Sequence, residues 1–254
     1  MIWSVRGLLM GGVALMLAVG GADLQARPQT TQTVLILATG ADRMTNGKPT
    51  GLWLEELAVP HEALLKAGFD VILATPRGGA IPIDPRSKPT PDQAKAWARS
   101  TEAAKSTVAL GTVDLARVDG IFVPGGHGTM FDLASDATTA KVIGDLYAQG
   151  KVVAAVCHGP AALVQAKRRD GKPLVEGRKV AVFTNEEEEA VGLTKDMPFL
   201  LETRLRELGA TVEKAANFQP KAVRDGRLIT GQNPPSSEPV ARLLIEALQE
   251  RKER

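Results

Sequence analysis

A chain of 254 residues, 44% hydrophobic and 24% charged, can bury a sizeable core, and these proportions argue against disorder as its main state. With 31 Lys+Arg against 29 Asp+Glu, a net charge of +2 and 4% aromatics, it carries neither an electrostatic footprint for nucleic acid nor a base-stacking surface. Its single cysteine, Cys157, excludes an intramolecular disulfide framework and a multi-thiolate metal site, and His61, His127 and His158 are the only imidazoles available.

Taken in chain order, Arg6 precedes an apolar run of about fifteen residues, GLLMGGVALMLAVGG, which is short for a membrane span. Residues 1–26 are read as a signal peptide, cleaved after Ala22 or Ala26, or as an uncleaved N-terminal anchor. Either exports the remainder to the periplasm or the medium, and membrane contact is expected only if the segment stays uncleaved. From residue 33 to residue 250 strands and helices alternate. VLILAT at residues 34–39 is a wholly apolar run suited to a parallel strand covered on both faces. GLWLEELAVPHEALLKAG has helical period and ends at Gly68, and FDVILATP follows as a second strand. A Gly- and Pro-rich loop leads to a helix at residues 92–105, a strand at 119–124, a helix, a strand at 152–156, another helix and a strand at 179–184. The C-terminal third adds a helix near residues 198–208, short strands near 211–214 and 227–230, and a last helix from Glu238. This order implies one doubly wound, mostly parallel sheet with helices on both faces.

Active sites in such sheets lie beyond the carboxyl ends of the strands. KVVAAVCHGPAAL therefore puts Cys157 at a strand end, on a sharp turn that exposes its sulfur, with His158 beside it as acid–base partner. The start of the following helix is expected to favour thiolate. PGGHGTMFD ends the preceding strand: Gly125 and Gly126 allow close backbone approach and offer N–H groups to an oxyanion, and His127 has a binding or turn role. Glu55 and Glu56 open the first helix, and only one of them can face the cysteine because neighbouring helical positions point about 100° apart. The run of four glutamates in FTNEEEEAVG follows another strand end, where a carboxylate could orient His158.

These residues are recognisable. GLWLEELAVP, IPIDPRS, PGGHGTMFD, AAVCHGPA, DGKPLVEGRKV, FTNEEEEAVG and DGRLITGQNP resemble the PfpI-like group of the class I glutamine amidotransferase-like superfamily, and within it the small glyoxalase III (D-lactate dehydratase) proteins, also described as heat-shock-type chaperones. The resemblance implies a flavodoxin-like fold, Cys157 as nucleophile, His158 as its partner, Glu56 as the helix glutamate contacting the cysteine, and Glu188 as the residue orienting the histidine, with Glu187 and Glu189 as alternative registers. It further implies conversion of methylglyoxal, or a similar 2-oxoaldehyde, to a 2-hydroxy acid through a cysteine hemithioacetal, without metal, nucleotide or glutathione. The partner is then a small aldehyde, and a homodimer is compatible with the group. A glutaminase would need a histidine downstream of His158, and none exists. A cysteine peptidase, a holdase chaperone and a redox-stress protein are the competing readings.

Overall fold

The computed structural model describes residues 1–3 and 31–252. The expected signal peptide or anchor lies, apart from its first three residues, outside the described residues. Among the described residues no helix is long and apolar enough to cross a membrane.

Strand β1 (Thr33–Leu37) is followed by α1 (Leu54–Lys66), β2 (Asp70–Thr75), the short helices α2 (Pro91–Ala96) and α3 (Ala98–Ala103), β3 (Val108–Ala109) and β4 (Val118–Val123). Then come α4 (Ala137–Ala148), β5 (Val152–Val156), β6 (Lys179–Val180), α5 (Asn185–Ala190), α6 (Leu201–Glu207), β7 (Thr211–Val212), β8 (Ala222–Asp225), β9 (Leu228–Gly231) and α7 (Ser237–Lys252). Seven strands form one sheet in the order β3-β2-β1-β4-β5-β9-β8, parallel except for β8, which runs antiparallel to β9.

The apolar runs at its centre follow from cover on both faces. Along β1, Val34 and Ile36 pack in one core cluster with Leu57 and Leu64 of α1 and Leu244 of α7, whereas Leu35 and Leu37 join Ile143 and Leu146 of α4 in the other. Successive strand side chains point to opposite faces, so a strand between two helical layers must be hydrophobic throughout. The chain winds outward from β1 to β3, then returns to lay β4 and β5 on the other side of β1. The topological switch point lies between β1 and β4, and ligands bind beyond the strand ends at such a point.

Four local expectations are corrected. The helix at residues 92–105 is two six-residue helices that break at Trp97 (φ −98°, ψ 10°), and α3 turns so that Arg99 and Ser100 both bond Glu62 of α1. The strand at 179–184 is a strand only at Lys179–Val180, paired with β7 in a separate two-stranded ladder. Beyond it the chain runs past the main sheet, bonding the Thr230 hydroxyl through Ala181 N–H (2.8 Å) and the Cys157 carbonyl through Phe183 N–H (3.0 Å). The helix after Cys157 is a five-residue 3-10 helix, Gly159–Leu163. The hairpin strand β8 was not expected at all.

Candidate active site

Cys157 follows β5 directly and takes a left-handed conformation, φ 60°, which costs a non-glycine residue on the order of 1–3 kcal/mol. Two hydrogen bonds hold it there: its N–H donates to Gly231 O (2.9 Å) and its carbonyl accepts from Phe183 N–H (3.0 Å). The side chain is only 4% exposed.

Of the two glutamates opening α1, Glu56 is the one that turns inward. It is fully buried, and its Oε2 accepts a hydrogen bond from the Gly125 amide at 2.7 Å, while Oε1 is buried with no hydrogen-bond partner. Burial pushes its carboxyl up to about 8, against the opposing pull of the Cys157 thiol and the Gly125 amide. Glu56 is therefore a neutral acid at neutral pH, with a proton to give to the sulfur side. Only glycine fits at 125, since a Cβ there would lie 2.7 Å from Glu56 Oε2 and 2.6 Å from the His158 nitrogen. The expected oxyanion role of Gly125 is thereby corrected: its N–H is spent on Glu56. Gly126 (φ 94°) turns the chain away, and its amide donates to no other group among the described residues.

His158 is completely buried, with Nδ1 3.4 Å from Cys157 Sγ and Nε2 2.8 Å from Glu188 Oε2. The register within the glutamate run is settled by geometry. Glu188 reaches the histidines from α5, Glu189 is exposed, and Glu187 points the other way as a structural hub. Glu187 Oε1 accepts from Phe218 N–H, Gln232 Nε2 and Asn233 Nδ2, and its Oε2 accepts from the N–H and hydroxyl of Thr184 in a capping box.

Glu188 also holds His127, whose Nε2 lies 2.9 Å from Oε1. Arg86 Nη2 stands 3.2 Å from the other nitrogen of His127, and Arg86 is itself fixed by Asp84 through contacts of 2.9 and 2.6 Å. An arginine can only donate, so Nδ1 of His127 accepts and Nε2 carries the proton that goes to Glu188. Burial would raise Glu188, but His158 and His127 hold its carboxyl well below the usual range. Burial first, then the nearby His158, pushes His127 down to about 4. An ionised Glu188 accepts from both histidines, and in the neutral ring of His158 the bond through Nε2 leaves Nδ1 as a lone pair facing the thiol. The ring nitrogens of His127 and His158 and the Glu188 carboxylate lie within 4.8 Å of one another, so this set could also ligate a metal ion.

Burial, and next the Glu56 carboxylate, push the Cys157 thiol well above its ordinary value, contrary to the expected depression. The five-residue 3-10 helix that follows supplies no long dipole; the His158 amide is what opposes the rise. Protonation of Glu56 removes its charge from the thiol and replaces it with a hydrogen-bond donor, so the two groups titrate as a pair.

Cys157 and His158 form the floor of a cavity of about 180 Å³, lined also by Trp53, Arg86, Gly126, His127 and Phe183, with Val191, Phe218 and Pro234. Larger hollows of about 540 and 760 Å³ elsewhere on the surface are lined by no cysteine or histidine. The structure thus brings together every site residue expected from sequence: Cys157, His158, Glu56, Glu188, Gly125, Gly126 and His127. Arg86, Asp84 and Phe218 lie at the site but were not named from the sequence, and Glu187, expected as an alternative register for Glu188, is found in the hub instead. Arg86 and Asp84 lie within IPIDPRS, whose charged pair in a loop after a strand end was the available signal.

The DJ-1/PfpI family profile matches residues 51–247. Glyoxalase 3 of Candida albicans is 30% identical over 220 residues, covering 81% of this chain and 92% of the relative. The solved structure of glyoxalase III from the same organism superposes with a TM-score of 0.76 at 28% identity, covering 85% of this chain and 97% of that one. The Rapid Encystment Protein 24 kDa of Francisella tularensis superposes with a TM-score of 0.81 at 35% identity, covering 86% and 99%. With that profile spanning the site and the core alike, the chain belongs to the DJ-1/PfpI family.

Proposed function

We propose that the protein is a glutathione-independent glyoxalase that converts methylglyoxal, or a similar 2-oxoaldehyde, to a 2-hydroxy acid. The observation that carries this reading is the flanking of one buried thiol by two proton carriers of opposite readiness: the neutral carboxylic acid of Glu56 and the Nδ1 lone pair of His158. The names of the curated relatives, glyoxalase 3 in Candida albicans and glutathione-independent glyoxalase in Saccharomyces cerevisiae, support it.

In this reaction His158 Nδ1 takes the thiol proton as Cys157 Sγ bonds to the aldehyde carbon. The resulting alkoxide takes the Glu56 proton, helped by the Gly126 and His158 amides, to give a hemithioacetal. The Glu56 carboxylate then removes the hydrogen from that carbon, His158 returns its proton to the neighbouring carbon, and the hydroxyl proton passes from the first oxygen to the second, leaving a thioester of the 2-hydroxy acid. Water cleaves the S–C bond and restores the thiol. The net change is addition of one water, so no external oxidant or reductant is needed. A 180 Å³ cavity over a nearly covered sulfur suits a small aldehyde and disfavours a peptide chain.

Export is part of the same proposal and rests on Arg6 and the apolar run after it. The test of the activity is lactate formed from methylglyoxal by purified protein without added thiol; aldehyde loss without lactate refutes it. Recovery of the unprocessed full-length chain in the soluble cytosol refutes export.

A further inference from the structure

We infer that the site is shaped for 2-oxoaldehydes carrying a bulky apolar substituent, aryl or branched alkyl, and that Phe218 is the residue that selects for it. This rests on the glyoxalase reading above and names the substrate class within it.

Three observations converge on the rim of the cavity. The whole chain has ten aromatic side chains (three Trp, one Tyr, six Phe), and three of them, Trp53, Phe183 and Phe218, line this one cavity. The exposed large apolar side chains of residues 31–252 are Val108, Val191 and Phe218, and the last two sit on the cavity. Exposed apolar surface gathered at a concave site is unfavourable until a ligand covers it.

The third observation is the backbone of Phe218 itself. It adopts φ 60°, a conformation a bulky aromatic residue avoids, so glycine or asparagine would be the undemanding choice. The strain is held by the bond from its N–H to Glu187 Oε1 (2.8 Å), deep in the structural hub. The conformation presents the ring to Phe183 at 6.4 Å between centroids, and Phe183 lies 4.4 Å from the His158 ring. An aromatic wall therefore runs from the solvent edge to the catalytic imidazole. Strain stored at the rim of a cavity that holds a reactive thiol points to a use there. Methylglyoxal, with one methyl group, would touch little of this wall; a phenyl or isobutyl substituent would lie along it while its aldehyde carbon reaches Cys157.

The test compares phenylglyoxal with methylglyoxal for the wild-type protein, Phe218→Gly and Phe218→Leu, reading lactate and mandelate separately. The wild type is expected to show a kcat/KM for phenylglyoxal about tenfold above that for methylglyoxal, the scale of an aromatic contact added to apolar burial. Phe218→Gly should lower that ratio about tenfold, with a thermal midpoint no lower than wild type, because glycine takes φ 60° freely. Phe218→Leu, which keeps an apolar side chain on the rim, should fall between them. Mandelate should compete with substrate more tightly than lactate, and Phe218→Gly should erase the difference. A wild-type ratio of one or less, or a ratio unchanged by both substitutions, overturns the inference and leaves the glyoxalase reading standing. Absence of lactate from methylglyoxal overturns both.

Discussion

Glu188 binds His127 through the carboxylate oxygen that His158 does not use, at 2.9 Å, so one side chain fixes the tautomers of two histidines. Replacement by glutamine puts an N–H₂ group where one of these acceptors was. Glu188→Gln is therefore expected to lower kcat for lactate formation by roughly 10²–10⁴, with a smaller change in KM, since His158 is still present but loses the carboxylate that orients its ring. Equal kcat in the two proteins would remove Glu188 from the mechanism.

Cys157 is the only thiol in the chain, so nothing can replace it. Cys157→Ala should abolish lactate formation outright. Turnover within tenfold of wild type in that variant would reduce the reaction to surface adduct chemistry.

His127 contacts Glu188 and Arg86, not the thiol. His127→Phe leaves Glu188 Oε1 without a donor, and a buried unsatisfied group costs about 1–3 kcal/mol. Its thermal midpoint should fall by roughly 2–4 °C per kcal/mol. His127→Gln, which can still donate to Glu188, should recover part of both kcat and stability; no recovery would point to a role in packing alone.

Glu56 sets the alkaline limb of stability. Its carboxyl is raised to about 8 in the folded protein from 4.5, so between those values the folded state keeps a proton that the unfolded state has released. Stability contributed by this group declines as pH rises through that window. Glu56→Gln keeps an acceptor for Gly125 and removes the titration. Its denaturation midpoint should exceed wild type by more at pH 8 than at pH 5, and parallel pH profiles would contradict the assignment.

His127 and Glu188 set the acid limb. With His127 lowered to about 4 from 6.5, the unfolded chain takes up a proton that the folded one refuses, so stability falls as pH drops from about 6.5 toward 4. Glu188, also lowered, contributes stability above 4.5 that is lost below it. Urea midpoints from pH 7 to pH 3.5 should decline more steeply in wild type than in His127→Gln.

The sheet was legible because its central strands are buried on both faces, which writes them as unbroken apolar runs at β1 and β5. Residues 179–184 read the same way but lie beside the sheet: burial alone sets hydrophobicity, and pairing partners leave no mark on it. Cys157 and His158 were legible from their place at a strand end. The direction of the thiol shift was not, because it depends on the depth of burial and on Glu56, about a hundred positions away. Likewise four identical glutamates carry no register. Only the turn of α5 separates Glu188, at the histidines, from Glu187, in the hub.

That hub ties five hydrogen bonds to one carboxylate, drawing Thr184, Phe218, Gln232 and Asn233 to a single point. The Phe218 amide is bonded inward although its ring reaches the surface. Its proton can exchange with solvent only when its bond to Glu187 opens. The rate of deuterium uptake at this one amide thus reports how firmly the chain at Phe218 stays tied to the Glu187 hub, and it is readable without substrate.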